Sequence, residues 1–486
     1  MKVDHKETFA EAIFSTLSHS FIRSFFSFAF LAFSILFVSS KDMGVYGTII
    51  SLVEIILYVV SFGLTNTLPK YLISEKYSTR KVILFSTLQS SIVTVLSLAL
   101  VFLFYSLNLF PDNFYAFPKS FLFLTIFSTF GFSVATILRS YYFALRKENI
   151  GGLSKTLLIF FQYFFSIIFY LINKTPESLV LGYAAGNFLM LFISVCLFYK
   201  ILNKKDNHSI SEIKMLPMIR SNFDNMIFSL QTYLLIQLPI LLAIFFNLDL
   251  EFIGNLKMSL MIINFFMIIP FSIEQTIVHR FHILWIKNEF YEIKKRLTKV
   301  LDNLNNLLNP LIISASLFFV IYFRFFSDNY PMAPKIILYY LLPFTLISVS
   351  RILYTSLVSI GEESFLILLM FLAIFANFVL NFILNKFIGD FSVVISMIIP
   401  YLLLLYFLQR KIKEKVKEML FSDTNRKIFL WNLLGFFMIY LAQYLNLYMS
   451  ILVLIISLFF SLFSFKDYLF LNLVKKYLFK SKEISQ

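Results

Sequence analysis

Apolar segments long enough to cross a membrane recur along the whole chain, separated by short polar loops. A helix needs about 20 apolar residues to cross the roughly 30 Å hydrocarbon core of a bilayer. By this criterion the sequence predicts about fourteen transmembrane helices, near 14–38, 47–68, 82–105, 118–143, 154–172, 178–199, 224–246, 258–280, 304–326, 335–358, 364–385, 391–409, 428–447 and 449–466. The predicted fold class is an all-α polytopic membrane protein.

Each of the first two predicted helices carries an ionisable residue within its apolar segment, Arg23 in the first and Glu54 in the second. Steps of three and four residues place further polar side chains on the same helix faces. These faces comprise Thr16, His19, Ser20, Arg23, Ser24 and Ser27 on one helix, and Ser51, Glu54, Tyr58, Ser61 and Thr65 on the other. An ionised group at membrane depth is costly and tends to face a bundle interior or a wet cavity. The two stripes therefore predict a transport path.

Composition excludes a soluble protein, since 59% of the residues are hydrophobic and the mean hydropathy is +0.82. The net charge of +15 is a topology signal, because 34 of the 42 Lys and Arg residues fall in alternate segments. The intervening segments hold only 7, Lys257 among them, and Arg23 alone is left within the membrane. The positive-inside rule then predicts that both termini are cytoplasmic. Nucleic acid is not an expected partner.

The loop at 200–222 divides the predicted helices, and we expect an N-terminal six-helix bundle at 1–205 and a C-terminal one at 206–418. Residues 419–486 add two helices, which are expected to face lipid because they have few polar groups, and a basic tail. The charged stretch 410–418 at the end of the second bundle is predicted to be a surface helix. An Arg-x-x-Tyr-x-x-Leu pattern closes helices four and ten and indicates a parallel repeat.

Four further ionisable residues are candidates for function. Arg139 and Arg351 begin the two repeated patterns and are expected to snorkel to the cytoplasmic interface, or to act at the inner mouth of a cavity. Glu274 and Arg280 lie in the eighth predicted helix and at its inner end, where the glutamate can meet the arginine or a lipid headgroup.

Sequence motifs for soluble catalysis, zinc or nucleotide binding do not occur in the chain. The single cysteine, Cys196, excludes an intramolecular disulfide. We therefore expect no enzyme, no metal and no cofactor beyond a possible coupling ion, H⁺ or Na⁺. Short outer loops also leave little room for the acidic residues of a membrane glycosyltransferase or polymerase.

Four short stretches carry a resemblance to a known family. They are Lys41-Asp-Met-Gly-Val-Tyr-Gly47, the pair Ser61-Phe-Gly-Leu64 and Leu68-Pro-Lys-Tyr71, and Ala144-Leu-Arg-Lys-Glu-Asn149. They resemble the O-antigen (Wzx-type) polysaccharide flippases of the multidrug/oligosaccharidyl-lipid/polysaccharide exporter superfamily, in which a Gly-x-Tyr-Gly turn opens the second helix. The resemblance implies two six-helix bundles that form a V around a central cationic cavity, opened alternately to each side.

The resemblance also implies a function, the transfer of an undecaprenyl-pyrophosphate-linked oligosaccharide across the inner membrane for surface polysaccharide synthesis. Arg23 then corresponds to the arginine that meets the pyrophosphate, Arg280 is a weaker match to a second one, and His19 and Ser27 share the cavity. The lipid II flippases line their first two helices with more basic residues, which favours another glycan here. Implied partners are membrane lipids, a polysaccharide polymerase and chain-length machinery.

Two alternatives remain open at this point. Glu54 is either a coupling-ion site or the structural partner of Arg23 in an ion pair. The protein is alternatively a cation-coupled drug or metabolite antiporter of the same superfamily, although such a cavity would be expected to concentrate acidic residues rather than Arg23.

Overall fold

The computed structural model describes residues 9–73, 79–115, 117–144, 148–202, 215–267, 270, 273, 281, 284–285, 287–416 and 422–465. These residues form helices and contain no strand. Nine of the helices described are long and apolar enough to cross a membrane, and two shorter apolar helices cover Phe21–Phe37 and Leu447–Phe459. The prediction of an all-α, multi-pass membrane protein is confirmed.

The described helices are numbered here in chain order. The first nine are α1 (Phe9–Phe37), α2 (Ser40–Ser61), α3 (Leu64–Ile73), α4 (Thr79–Ser106), α5 (Lys119–Ala144), α6 (Glu148–Asn173), α7 (Pro176–Leu202), α8 (Met215–Phe245) and α9 (Leu250–Phe265). The others described are α10 (Phe290–Phe325), α11 (Ala333–Ser359), α12 (Glu363–Ile388), α13 (Ser392–Ile395), α14 (Ile398–Val416), α15 (Ser422–Tyr444) and α16 (Leu447–Phe465).

The chain divides into two compact units. The first, here the N-terminal unit, is Ser18–Lys257, and the second, here the C-terminal unit, comprises Met1–Leu17 and Met258–Gln486. Helix α8 therefore packs with the helices that precede it. The sequence predicts a different division, into two repeated six-helix bundles that end at residues 205 and 418. That division stays a prediction.

Helix α2 begins earlier than the sequence pattern predicts. The Ser39 side chain caps it by accepting a hydrogen bond from the backbone N–H of Asp42 at 3.1 Å. The stretch 41–47 is therefore the first two turns of a helix and not a turn that opens one at 47. The helix ends at Ser61, where Phe62 and Gly63 adopt left-handed backbone angles with φ of 44° and 68°.

Two glycines allow α2 and α9 to pack backbone against backbone. A Cβ atom added to Gly44 would overlap the carbonyl oxygen of Leu250, and one added to Gly254 would overlap that of Ser40. Small residues permit this close approach of membrane helices. The glycine of the 41–47 motif thus has a packing role within the N-terminal unit.

Several buried polar side chains in the N-terminal unit are paired across helices. Asn187 of α7 accepts a hydrogen bond from Gln162 of α6 at 2.8 Å and donates one to Ser128 of α5 at 3.0 Å. Ser133 of α5 donates to Ser90 of α4 at 2.8 Å. A polar group on a membrane helix cannot form a hydrogen bond to water, so it has to bond to another part of the protein. These bonds therefore fix the positions of α4, α5, α6 and α7 relative to one another.

In the C-terminal unit, the last two helices are bonded to the bundle as well as exposed. Asn432 of α15 is buried and donates to Thr345 of α11 at 2.8 Å. Ser457 of α16 bonds Ser314 of α10 at 2.7 Å. The outer face of α15 is apolar and exposed, at Phe429, Leu433 and Phe437 among others. The prediction that these helices are simply lipid-facing holds for one face only.

The charged stretch after residue 409 is the end of a longer helix and not a separate surface helix. Helix α14 continues without a break to Val416. Its Lys411 lies 3.4 Å from the carboxylate of Glu362, in the α11–α12 connection, and Lys415 contacts the same carboxylate. Hydrogen bonds from Lys415 and Lys411 lower the pKa of Glu362. The lysines therefore tie the end of α14 to the connection between two other helices.

We predict that Gly254→Ala destabilises the N-terminal unit by roughly 1–3 kcal/mol, since the new methyl group meets a backbone carbonyl that cannot move aside. Thermal unfolding in detergent measures the effect. Gly435→Ala is the matched control, because its Cβ meets only side-chain atoms of Ile313 and Leu341. Equal unfolding temperatures for the two variants would contradict the close-packing account.

We also predict a pH-dependent contribution from Glu362. Because its pKa is lowered in the folded protein, its ion pairs contribute fully above the ordinary carboxyl pKa of about 4.3 and are lost as the pH falls through the lowered value. The stability difference between the wild type and Glu362→Gln should shrink from pH 7 to pH 3. The neighbouring Glu363→Gln should show no comparable trend, and a constant Glu362→Gln difference would refute the assignment.

Candidate functional site

An aromatic ladder between α1 and α6 sets the position of Arg23. Phe26 packs on Phe160 with ring centroids 4.8 Å apart, and Phe30 stacks on Tyr163 at 4.6 Å. One further step along, Phe33 packs edge-on to Tyr170 at 6.0 Å. The residue numbers rise together along both helices, so α1 and α6 run parallel here.

Arg23 lies on α1 one turn before this ladder and is half-buried. The Ser27 hydroxyl donates to the Arg23 carbonyl at 3.2 Å and shares a side-chain hydrogen bond with Tyr163. Two of the predicted site residues, Arg23 and Ser27, are thus neighbours on the face of α1 that meets α6. His19 lies in the same helix, but its side chain is outside the described residues.

Two more cations lie close to Arg23 within the N-terminal unit. The charge of Arg139 on α5 interacts with that of Arg23, and the charge of Lys155 on α6 interacts with both. We refer to Arg23, Arg139 and Lys155 as the cationic cluster. Arg139 and Lys155 lie in apolar helices long enough to cross a membrane, Lys119–Tyr142 and Gly151–Asn173, and Arg23 lies in the shorter apolar helix Phe21–Phe37. Like charges repel, and each of these three lies near one end of its apolar segment, so their proximity is typical of a site for an anion.

Glu54 lies among tyrosines, away from the loop ends of α2. It accepts a hydrogen bond from the Tyr233 hydroxyl of α8 at 2.7 Å, and the Tyr233 ring packs on Tyr58 at 4.8 Å. The Glu54 charge also reaches three further tyrosines of this unit, Tyr46, Tyr163 and Tyr183. We refer to these five tyrosines as the tyrosine shell.

Within the tyrosine shell, the Tyr233 hydroxyl is the group shown to donate a hydrogen bond to Glu54. Tyr163 of this shell also bonds Ser27, one turn from Arg23, so the carboxylate and the cationic cluster share one wall of α6. Helix α8 provides the hydrogen-bond partner of Glu54. The ion pair of Glu54 with Arg23 and the coupling-ion role both stay predictions.

The remaining candidates belong to the C-terminal unit. Arg351 lies in α11 and is 9% exposed, so it does not extend to a surface as a snorkelling anchor would. Glu274 and Arg280 lie outside the described residues. Among the residues that the structure does describe, no group of three or more His, Cys, Asp and Glu is placed to hold a metal.

Sequence reasoning missed three residues of this site, Lys155, Tyr163 and Tyr233. Lys155 and Tyr163 are eight residues apart, a helical spacing that puts them on one face of α6. That signal is present in the sequence, but the loop-charge pattern assigns Lys155 to a cytoplasmic segment. The same pattern assigns Lys257 to an outer loop, whereas it is buried in the structure against Gly47 of α2.

No family description matches the chain, and no curated protein matches it in sequence. Its structure, however, is similar to that of the lipid II flippase MurJ in an inward closed conformation, with a TM-score of 0.62, 16% identity, and 93% of this chain and 98% of that chain covered. It is also similar to an inward-facing multidrug resistance MATE family transporter of the MOP superfamily, with a TM-score of 0.68, 10% identity, and 84% and 98% covered. A mutant of the Vibrio cholerae MATE transporter VcmN matches with a TM-score of 0.56, 11% identity, and 84% and 97% covered.

The fold is that of MurJ and the MATE transporters. These similar structures are a flippase and transporters. At identities of 10–16% the likeness concerns the fold, and the substrate has to be argued from the cationic cluster and the tyrosine shell.

We predict that Tyr233 and Glu54 are energetically coupled by about 1.5–3 kcal/mol, the range for a hydrogen bond to a charged group. Thermal unfolding of Tyr233→Phe, Glu54→Gln and the double variant forms a double-mutant cycle that isolates this term. Tyr105→Phe is the matched control, since this buried tyrosine of α4 lies in the same unit and packs on Tyr115 instead. Strictly additive effects of the Tyr233 and Glu54 substitutions would contradict the pairing.

Proposed function

We propose that the protein is a flippase that moves an undecaprenyl-pyrophosphate-linked oligosaccharide from the cytoplasmic to the outer leaflet by alternating access. The product would feed surface polysaccharide synthesis of the O-antigen or capsule type. The observation that carries the proposal is the cationic cluster on membrane-crossing helices of a MurJ-like fold. In this proposal Arg23 is the primary contact of the pyrophosphate.

The chemistry of such a substrate explains why the site needs cations. A pyrophosphate head cannot enter hydrocarbon unaided, because removing an unpaired charge from water is very costly. A guanidinium offers it a charge-assisted, bidentate partner and stays protonated at all relevant pH values. Ser27 bonds the backbone of α1 at Arg23 and the side chain of Tyr163, which orients this face toward α6.

The glycan and the cellular setting are inferred from the sequence. The stretches at 41–47 and 144–149 resemble O-antigen flippases, and Arg23 is the only Lys or Arg within the first two apolar segments. The similar structure of MurJ is that of a lipid II flippase, and we propose a different lipid-linked glycan here. The basic residues of alternate loops support cytoplasmic termini and an inner-membrane location. A polymerase and chain-length machinery would then receive the product.

A second candidate function, a cation-coupled antiporter, is favoured by one observation. Glu54 is a half-buried carboxylate with five tyrosines around it, a setting in which a proton or Na⁺ could be held between two states. The similarity to MATE transporters points the same way. A cationic drug, however, would be repelled by three converging cations, so we rank this candidate second.

Depletion of the protein in its host, followed by assay of lipid-linked oligosaccharide on each leaflet, tests the proposal. Repeat units should accumulate on the cytoplasmic leaflet while surface glycan is lost. Unchanged lipid-linked pools would favour the antiporter instead. Accumulation of single repeats on the outer leaflet would point to a defect in polymerisation and would overturn the flippase proposal.

We predict that Arg23→Ala abolishes glycan export while leaving protein level and topology intact, because the head loses its main cation. Arg23→Lys should restore export only in part, since an ammonium cannot bind both phosphate oxygens as a fork. Surface glycan and cytoplasmic lipid-linked pools are measured side by side. Normal export by Arg23→Ala would refute the cationic-site mechanism.

A further inference from the structure

Lys155 is the member of the cationic cluster that the proposed function does not yet use. It is half-buried and lies within the apolar segment Gly151–Asn173 of α6. Among the described residues, no side chain or carbonyl forms a hydrogen bond or ion pair with its ammonium group. A lysine in such a segment is costly, and proteins tolerate it where it lines a polar pathway or snorkels to the interface.

The aromatic ladder places Lys155 and Arg23 at one level of the bundle. Phe26 pairs with Phe160 and Phe30 with Tyr163, so on the side of the ladder nearest Arg23 residues of α1 face residues of α6 that are 133 or 134 positions later. At the far end of the ladder the offset, from Phe33 to Tyr170, is 137. Extending the register nearest Arg23 one turn back sets Arg23 opposite residues 156 and 157. Lys155 is then only one or two residues away, a rise of roughly 3 Å along α6.

Arg139, on a third helix, α5, lies at the same level as Arg23 and Lys155. Helices α5 and α6 are consecutive, and Arg139 and Lys155 lie at similar distances from their connection, five residues before Ala144 and seven after Glu148. The interaction of Lys155 with both arginines agrees with this placement. Three cations on three different helices thus converge at one height.

A lipid monophosphate carries close to two negative charges on a single phosphorus. A pyrophosphate diester carries one negative charge on each of two linked phosphates, so the two heads differ in how their charge is spaced rather than in its total. One guanidinium can chelate one phosphate, and a lysine on the neighbouring helix can serve as a point charge for the next. The cluster therefore matches a head with two linked phosphates better than a head with one.

We propose that Lys155, with Arg139, binds the second phosphate of a pyrophosphate head whose first phosphate is bound by Arg23. This assignment rests on the proposed function and adds to it the residue that distinguishes pyrophosphate from monophosphate. Lys155 is thereby a specificity-determining residue.

The test uses the purified full-length protein in nanodiscs and two probes, undecaprenyl pyrophosphate and undecaprenyl monophosphate. The readout is the ratio of the two dissociation constants for each variant. Lys155→Gln should reduce the preference for pyrophosphate by about tenfold, as expected for one charge-assisted contact. Lys155→Arg should keep most of the preference. Lys174→Gln, which removes an exposed charge just after the other end of α6, should leave it unchanged.

The ratio separates recognition from folding, because a damaged site loses affinity for both probes together. An unchanged ratio in Lys155→Gln, with both affinities kept or both lowered in parallel, overturns the inference and makes Lys155 an interfacial or structural residue. A different result would show that the proposed function itself is wrong. In that case Arg23→Gln would bind undecaprenyl pyrophosphate as tightly as the wild type does.

Discussion

A charge inside a membrane-crossing helix has to be held by the protein itself, and this requirement organises the N-terminal unit. The structure meets it in two ways on the same helices. Glu54 accepts a hydrogen bond from the Tyr233 hydroxyl of α8 at 2.7 Å. Arg23, Arg139 and Lys155 instead lie close enough for their charges to interact.

Both arrangements depend on how closely the helices approach. The α1–α6 ladder of aromatic rings sets the height of Arg23 relative to Lys155, and glycines at 44 and 254 bring α9 against α2. The bond of Ser27 to Tyr163 joins the ladder to the tyrosine shell. Packing and electrostatics are therefore not separate features here, because the same face of α6 carries Lys155 and Tyr163.

The C-terminal unit uses charge differently, near helix ends rather than at depth. Glu362 ties two lysines of α14 to the α11–α12 connection, and Arg324 donates to the carbonyl groups of Ala442 and Leu445 at the end of α15. Arg351 is the exception, since it is buried in α11. Its place in a pattern shared with Arg139 does not give it the same surroundings, because the two arginines pack in different units.

The sequence by itself determined what depends on local composition. Hydropathy was sufficient to assign the membrane class and the all-α fold. The charges of the loops predicted the orientation of the chain. Spacing of three and four residues along the helices identified Arg23, Ser27 and Glu54 as candidate site residues. A resemblance of short motifs pointed to the superfamily whose fold the structure shares. Each of these signals lies within a single helix or loop.

Only the tertiary structure decided which helices meet. It brought Lys155 and Arg139 to Arg23, gave Glu54 its partner from α8, and placed Asn432 of α15 against Thr345. It also showed that the 41–47 motif is helical and packs on α9. Sequence periodicity specifies the face of a helix on which a residue lies but not the helix opposite that face. In a chain whose helices are nearly all apolar, that choice is made by shape and by the pairing of a few polar groups.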